Sequence, residues 1–180
     1  MFKKLFSPLV DGISAALAMS GLFGLLHMCG LLDDRVSAAW ATGSLGASMV
    51  LFISCPESKL TTPRAAILGN VGSAWIGMGC AWCFDGSPRI AAIAAVTLAC
   101  VFMASADVRH PPGGATALLA VVGGEPIARM GWLYPMCPIF LGTCWLLLIA
   151  SLRRQVSRSL ERGSETISSN GRHPFKRTHR

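Results

Sequence analysis

Arg109-His110-Pro111-Pro112-Gly113-Gly114-Ala115-Thr116-Ala117-Leu118-Leu119 interrupts a chain that otherwise reads as one apolar helix after another. Two prolines cannot continue a helix and two glycines permit bent backbone, so a helix restarts only near Gly114. The apolar run that follows, Gly113–Gly124, has 12 residues, or about 18 Å as helix. That is too short for a hydrocarbon core of about 30 Å. The other charge-free windows are Ile13–Leu32, Val36–Cys55, Ala65–Phe84, Ile90–Ala106 and Met130–Leu152. Ile90–Ala106 has 17 residues and the rest have 20 or more, enough to cross.

Composition agrees. Of 180 residues, 52% are apolar and 14% charged, with a mean hydropathy of +0.52. A soluble domain carries about 25% charge. Intrinsic disorder, a disulfide scaffold and a dinucleotide-binding enzyme are all excluded on this balance. The fold class is therefore all-α: a polytopic membrane helical bundle of four to six membrane segments, including short broken or half helices.

The charge of +7 is uneven. Eight basic residues between Arg153 and Arg180 face only Glu161 and Glu165. The chain divides into a nearly neutral membrane domain, 1–152, and a basic Ser/Gly-containing tail, 153–180, expected to be disordered. The tail lacks the interleaved aromatics of a nucleic-acid module, so no nucleic-acid partner is expected. The bilayer itself, with anionic headgroups, is the natural neighbour. The positive-inside rule places both termini in the cytoplasm of a cell with an inner membrane. Lys3, Lys4, Lys59, Arg64, Arg109 and the tail then lie inside, and only Arg35, Arg89 and Arg129 lie outside. Trp40, Trp82 and Trp132 then mark an outer aromatic belt. The Met1–Phe6 start resembles a signal-peptide n-region, but several spans follow, so an uncleaved first helix is expected.

Ser7-Pro8, Thr62-Pro63 and Ser87-Pro88 each place an N-cap before a proline and mark helix starts. Pro135 and Pro138 should kink the last span. Gly12, Ala16, Ser20 and Gly24 form one small-residue stripe, and Ala65, Gly69, Ser73, Gly77 and Ala81 form another. Such stripes serve the bundle interior or a homo-oligomer interface. The seven cysteines all lie in apolar stretches, and Cys80-Ala-Trp-Cys83 has no second pair or His cluster, so neither a metal site nor disulfides are expected. His27 and Asn70 are lone polar residues in apolar helices, suited to interhelical hydrogen bonds. Asp107 is a helix-end charge within reach of Arg109.

A second motif lies upstream: Gly46-Ala47-Ser48-Met49-Val50-Leu51-Phe52, then Pro56-Glu57-Ser58-Lys59-Leu60 and Pro63-Arg64. Together with His110-Pro111-Pro112-Gly113-Gly114-Ala115-Thr116-Ala117-Leu118, this resembles the HPP family of integral membrane proteins over about residues 8–150. The resemblance implies a four-span membrane domain. Plant chloroplast and cyanobacterial members of that family look like nitrite transporters, and many bacterial members carry CBS domains, which this sequence lacks. The family pattern often has a histidine after the glycine that follows the Pro-Arg pair. This chain has Gly69-Asn70 there, so a role for that histidine does not carry over.

An offset of 68 superposes Gly46-Ala47-Ser48 on Gly114-Ala115-Thr116. Each copy then reads as helix, broken helix, helix, and three crossings per copy make a possible inverted repeat. Two helix N-termini inside the bilayer, each with free N–H groups and a hydroxyl, suit a small anion. The candidate substrate-binding residues are Gly46, Ala47, Ser48, Arg109, His110, Gly113, Gly114, Ala115 and Thr116. Arg109 and His110 add positive charge, and His110 is suited to coupling the anion to a proton. HPPGG can also be read as no more than a structural turn. No nucleophile–base pair, metal-ligand spacing or phosphate loop is present, so neither an enzyme nor a cofactor is expected. The expected function is transport of a small anion, nitrite by resemblance. The alternatives are a non-transporting membrane scaffold, or a transporter or channel for another small solute.

Overall fold

The computed structural model describes the backbone of residues 2–28 and 35–170, and side chains over 8–28 and 43–159. Cys29, Asp33, Asp34, the side chains of Lys3, Lys4, Arg35, Trp40 and Arg162, and the tail after Asn170 lie outside the described residues. The described elements are helical: α1 (Phe2–Met28), α2 (Arg35–Ser54), α3 (Pro63–Cys83), α4 (Pro88–Ser105), α5 (Pro112–Val122), α6 (Gly124–Met130) and α7 (Leu141–Asn170). Four stretches are long and apolar enough to cross a membrane: Pro8–Met28, Pro63–Cys83, Pro88–Ser105 and Pro135–Ser159. Gly43–Ser54 and Pro112–Val122 are shorter apolar helices. Four spans and six segments thus describe the same chain.

Local chemistry sets the boundaries. Thr62 caps α3, its hydroxyl accepting from the Ala65 N–H at 3.2 Å, with Pro63 in the first turn. Pro88 opens α4 in the same way, though the Ser87 side chain makes no cap bond. Pro8 does not start α1: the helix begins at Phe2, and only the apolar span begins at Pro8. A proline so early removes a single backbone bond, which the preceding turn tolerates. α5 has 11 residues and ends where Gly124 takes φ +70°, a conformation that suits glycine. Between α6 and α7 the prolines act as expected. Pro135–Phe140 is an irregular turn in which Cys137 leaves helical geometry at φ −134°, ψ 111°.

The first part of the expected tail is helical. α7 does not fray after Leu152 but continues as helix to Asn170. Two ion pairs hold its extension: Arg153 Nε donates to Asp11 Oδ1 of α1 at 2.8 Å, and Arg158 lies 3.5 Å from Glu57.

The packing has an internal order. α1 packs on α2 and α7, and α4 packs on α5 and α3. α2 packs on α7, α5 packs on α3, and the two groups meet where α2 touches α5 and α3 touches α7. Exchange α1 with α4, α2 with α5 and α3 with α7, and this principal pattern maps onto itself. Each half of the chain has given its third helix to the other. The pattern accords with two copies of one unit, whose middle members differ in length because α2 is continuous from Arg35 to Ser54.

α3 is the centre. Its stripe of Ala65, Gly69, Ser73 and Gly77 is buried. A Cβ on Gly69 would meet His110 Cβ at 2.7 Å, and one on Gly77 would collide with the Ala117 carbonyl. This stripe therefore serves the bundle interior, letting α5 approach backbone to backbone. The α1 stripe does not: Gly12, Ala16, Ser20 and Gly24 are all exposed. Apolar clusters fill the rest. One joins Leu22, Leu26, Leu45, Phe52 and Leu146 across α1, α2 and α7, and another joins Cys80, Ala95, Ala99 and Ala117 across α3, α4 and α5.

Candidate functional site

The four segments that meet between the two halves each bring a polar side chain to one place. Ser48 comes from α2, Asn70 from α3, Thr116 from the first turns of α5 and Thr143 from α7, and His110 joins them from the loop before α5. All five are at most 1% exposed. Buried polar groups in an apolar bundle must find partners, and these find one another.

Asn70 is the hub. Its Nδ2 donates to Ser48 Oγ at 3.3 Å and to Thr143 Oγ1 at 3.3 Å. Its Oδ1 accepts from Thr116 Oγ1 at 3.0 Å. Thr116 Oγ1 also reaches the Pro112 carbonyl at 3.2 Å, and the Tyr134 hydroxyl donates to the Thr116 carbonyl at 3.3 Å. His110 is held at three points. Nδ1 lies 2.8 Å from the Leu60 carbonyl, Nε2 lies 3.0 Å from Ser48 Oγ, and the ring stacks on Phe52 at 5.7 Å. A carbonyl only accepts, so Nδ1 carries a proton and donates. The loop that supplies Leu60 is itself tied down: the one hydroxyl proton of Thr61 has the carbonyls of residues 55, 56 and 58 within reach, the last at 2.8 Å.

Two hydroxyls at the site have no partner among the described residues. Ser44, one turn before Ser48, and Ser73, beside Gly113, are buried with unsatisfied oxygens. In a membrane interior an unpaired hydroxyl is costly, and it invites a ligand or water. Gly46 and Gly114 have nothing within 4 Å of where a Cβ would be.

The sequence candidates divide. Ser48, His110, Gly113 and Thr116 come together, buried. Gly46 and Gly114 are half-buried, while Ala47, Ala115 and Arg109 are exposed. Arg109 makes no ion pair with Asp107 among the described residues; Asp107 lies in the turn after α4, with φ 52°. The expectation of free N–H groups at two broken helices needs correcting. Gly46–Ser48 lies inside α2, where the backbone groups are spent on the helix. At α5, the Gly113 N–H donates to the His110 carbonyl at 2.8 Å and the Gly114 N–H to the Pro111 carbonyl at 3.1 Å. The turn that the prolines and glycines make consumes the donors they seemed to free. The site is built of side chains rather than backbone.

Asn70, Thr143, Ser44, Ser73 and Tyr134 were not among the sequence candidates for the site. Asn70 carried a signal, a lone amide in an apolar helix, and it does make the interhelical bonds expected of it. His27 does not: it is exposed in the last turn of α1 and makes no hydrogen bond among the described residues. Of the Cys80–Cys83 pair, Cys80 is buried and Cys83 exposed, and the two are not joined. Among the described residues no group of His, Cys, Asp and Glu is arranged to hold a metal.

Comparison with known proteins gives a consistent result. Two curated transmembrane proteins of Dictyostelium discoideum are similar, one 35% identical over 147 residues and the other 33% over 140. The alignments cover 78% and 76% of this chain but 47% and 48% of the relatives, so the chain spans about half the length of each. No solved structure matches significantly. The family model for the HPP transmembrane region matches residues 7–161, so the chain belongs to the HPP transmembrane family.

Proposed function

We propose that this protein moves a small anion across the membrane, with nitrite the first candidate, and that the anion passes the cluster around Asn70. One observation supports this above the others. Ser44 and Ser73 are buried hydroxyls without partners, set beside a network in which every other polar side chain is satisfied. The cluster also sits where the two halves of the chain meet, as substrate sites of repeat-built transporters do. Ser44 and Ser73 donate to the anion, and Thr116 and Ser48 exchange an internal partner for it as it passes. Passage requires no covalent chemistry and no cofactor. The protein sits in the inner membrane with both termini in the cytoplasm, so the His110 end of the bundle faces inward.

Uptake into proteoliposomes across a panel of small anions and neutral solutes tests this. Nitrite should enter faster than into protein-free vesicles. Uptake of a neutral solute alone would replace the substrate and keep the path.

A second function is favoured by a different observation. The exposed α1 stripe of Gly12, Ala16, Ser20 and Gly24 suits close packing on another helix, as in a membrane scaffold. A protein that moves no solute in the panel but cross-links to a partner through α1 would be that scaffold.

A further inference from the structure

We propose that His110 binds the proton that travels with the anion, so that anion and proton load together and the carried charge is zero. This rests on the anion passing the Asn70 cluster; what it adds is the coupling ion and its binding atom.

The geometry of Ser48 carries the proposal. Its one hydroxyl proton has two acceptors, the Ser44 carbonyl at 3.1 Å and His110 Nε2 at 3.0 Å. Nδ1 of His110 is committed as a donor to the Leu60 carbonyl. In neutral His110, Nε2 is a bare acceptor, and the Ser48 hydroxyl turns toward it. When a proton adds to Nε2, the new N–H donates to Ser48 Oγ, and the hydroxyl swings to the Ser44 carbonyl. Both states are fully hydrogen-bonded, and neither requires the ring to move. A histidine that serves only as a cap on Leu60 has no need of a partner that can reverse its role.

The second part of the reasoning concerns charge. An imidazolium here is buried, at 1% exposure, and needs a counter-charge. Among the described residues none is supplied. The His110 ring hydrogen-bonds to Leu60 and Ser48 and stacks on Phe52, and among the described residues no ion pair joins it to a carboxylate. The titratable groups on the surrounding elements are engaged elsewhere or exposed. Glu57 pairs with Arg158, Arg64 donates to the Ala106 carbonyl, and Asp11 pairs with Arg153. Lys59, Asp107 and Arg109 are exposed, and the Tyr134 hydroxyl is spent on Thr116. The protonated ring is therefore stabilised by the arriving anion, and the anion by the protonated ring. Such a linkage is reciprocal: each must raise the affinity for the other.

Nitrite titrated into the purified, weakly buffered protein near pH 7 should draw close to one proton per anion bound, read with a pH dye. Nitrite affinity should fall about tenfold for each unit of rising pH above the His110 titration. In proteoliposomes, an inwardly directed proton gradient should drive uptake, and a membrane potential set with valinomycin should not. His110→Gln should abolish the proton uptake; Ser48→Ala should reduce it and leave the ring in place. Binding without proton uptake, with an affinity flat in pH, would overturn the coupling and leave the anion path standing. Proton uptake that persists in correctly inserted His110→Gln would overturn His110 as its site. If neither nitrite nor any other anion of the panel binds, the anion path fails and the coupling falls with it.

Discussion

Ser48 and Thr116 hold opposite ends of one amide: Asn70 donates to the first at 3.3 Å and accepts from the second at 3.0 Å. The two hydroxyls occupy matching places in the two GA[ST] motifs, 68 residues apart. An amide is the side chain that can do this, because it offers a donor to one and an acceptor to the other.

Asn70→Leu keeps approximate volume and removes every bond of the hub. Ser48, Thr143 and Thr116 then lose their shared partner. The loss in stability should be about 2–3 kcal/mol, as interhelical bonds in membranes are individually modest. Thermal unfolding in detergent measures it. Anion uptake should drop by more than the loss of folded protein explains.

Thr116→Val keeps shape and removes a hydroxyl bonded to Asn70 and to the Pro112 carbonyl. Uptake should fall roughly tenfold to a hundredfold at low substrate, the range for one bond to a charged ligand. Tyr134→Phe removes a bond to the Thr116 carbonyl and no donor from the proposed path, so it should cost about 1 kcal/mol of stability. Equal uptake in Thr116→Val and wild type would remove this hydroxyl from the path.

The glycines should separate by position. Gly77→Ala drives a Cβ into the Ala117 carbonyl, and Gly69→Ala drives one into His110. Each should destabilise by about 1–3 kcal/mol, because α3 and α5 cannot part without breaking the cluster. Gly114→Leu meets nothing within 4 Å. It should insert and fold as well as wild type, and on the proposed path beside Thr116 it should reduce uptake. Poor folding of Gly114→Leu, seen in size-exclusion profiles, would mean that the space is not open.

Asp11 and Arg153 clamp α1 to α7, with side chains 27% and 11% exposed. A double-mutant cycle with Asp11→Asn and Arg153→Met should give a coupling of about 1–3 kcal/mol by thermal unfolding. Arg158→Met should cost under about 0.5 kcal/mol, because that pair is largely exposed.

Fusion reporters after Met1 and after Arg180 should both give a cytoplasmic signal. A periplasmic signal at either end would contradict an even number of crossings.

The segments were legible because charge-free windows and helix-breaking residues are local features. Pro63, Pro88, Pro112 and Gly124 mark boundaries that the backbone obeys. The site was half legible. His110 and Thr116 stood out because of their neighbours in sequence, but Asn70 and Thr143 matter because of neighbours in space. Nothing within α7 distinguishes Thr143 until α3 is laid beside it. The free N–H groups were misread because a proline turn does two things: it starts a helix, and its own carbonyls accept the first donors. His110 and Pro111 supply those carbonyls here. The α2 motif misled by its likeness to the α5 motif, although no proline precedes Gly46 to break the helix.

The exchange of third helices bears on how the chain is made. α3 leaves the ribosome before α4 and α5, the helices it packs against. Until they arrive, its face of Gly69, Asn70, Ser73 and Gly77 confronts lipid or the insertion machinery, with the Asn70 carbonyl lacking its Thr116 partner. A half-made chain therefore has no finished half. Residues 1–83 synthesised alone should be degraded, and co-synthesis with 84–180 should rescue them, since α3 is completed only by the later helices.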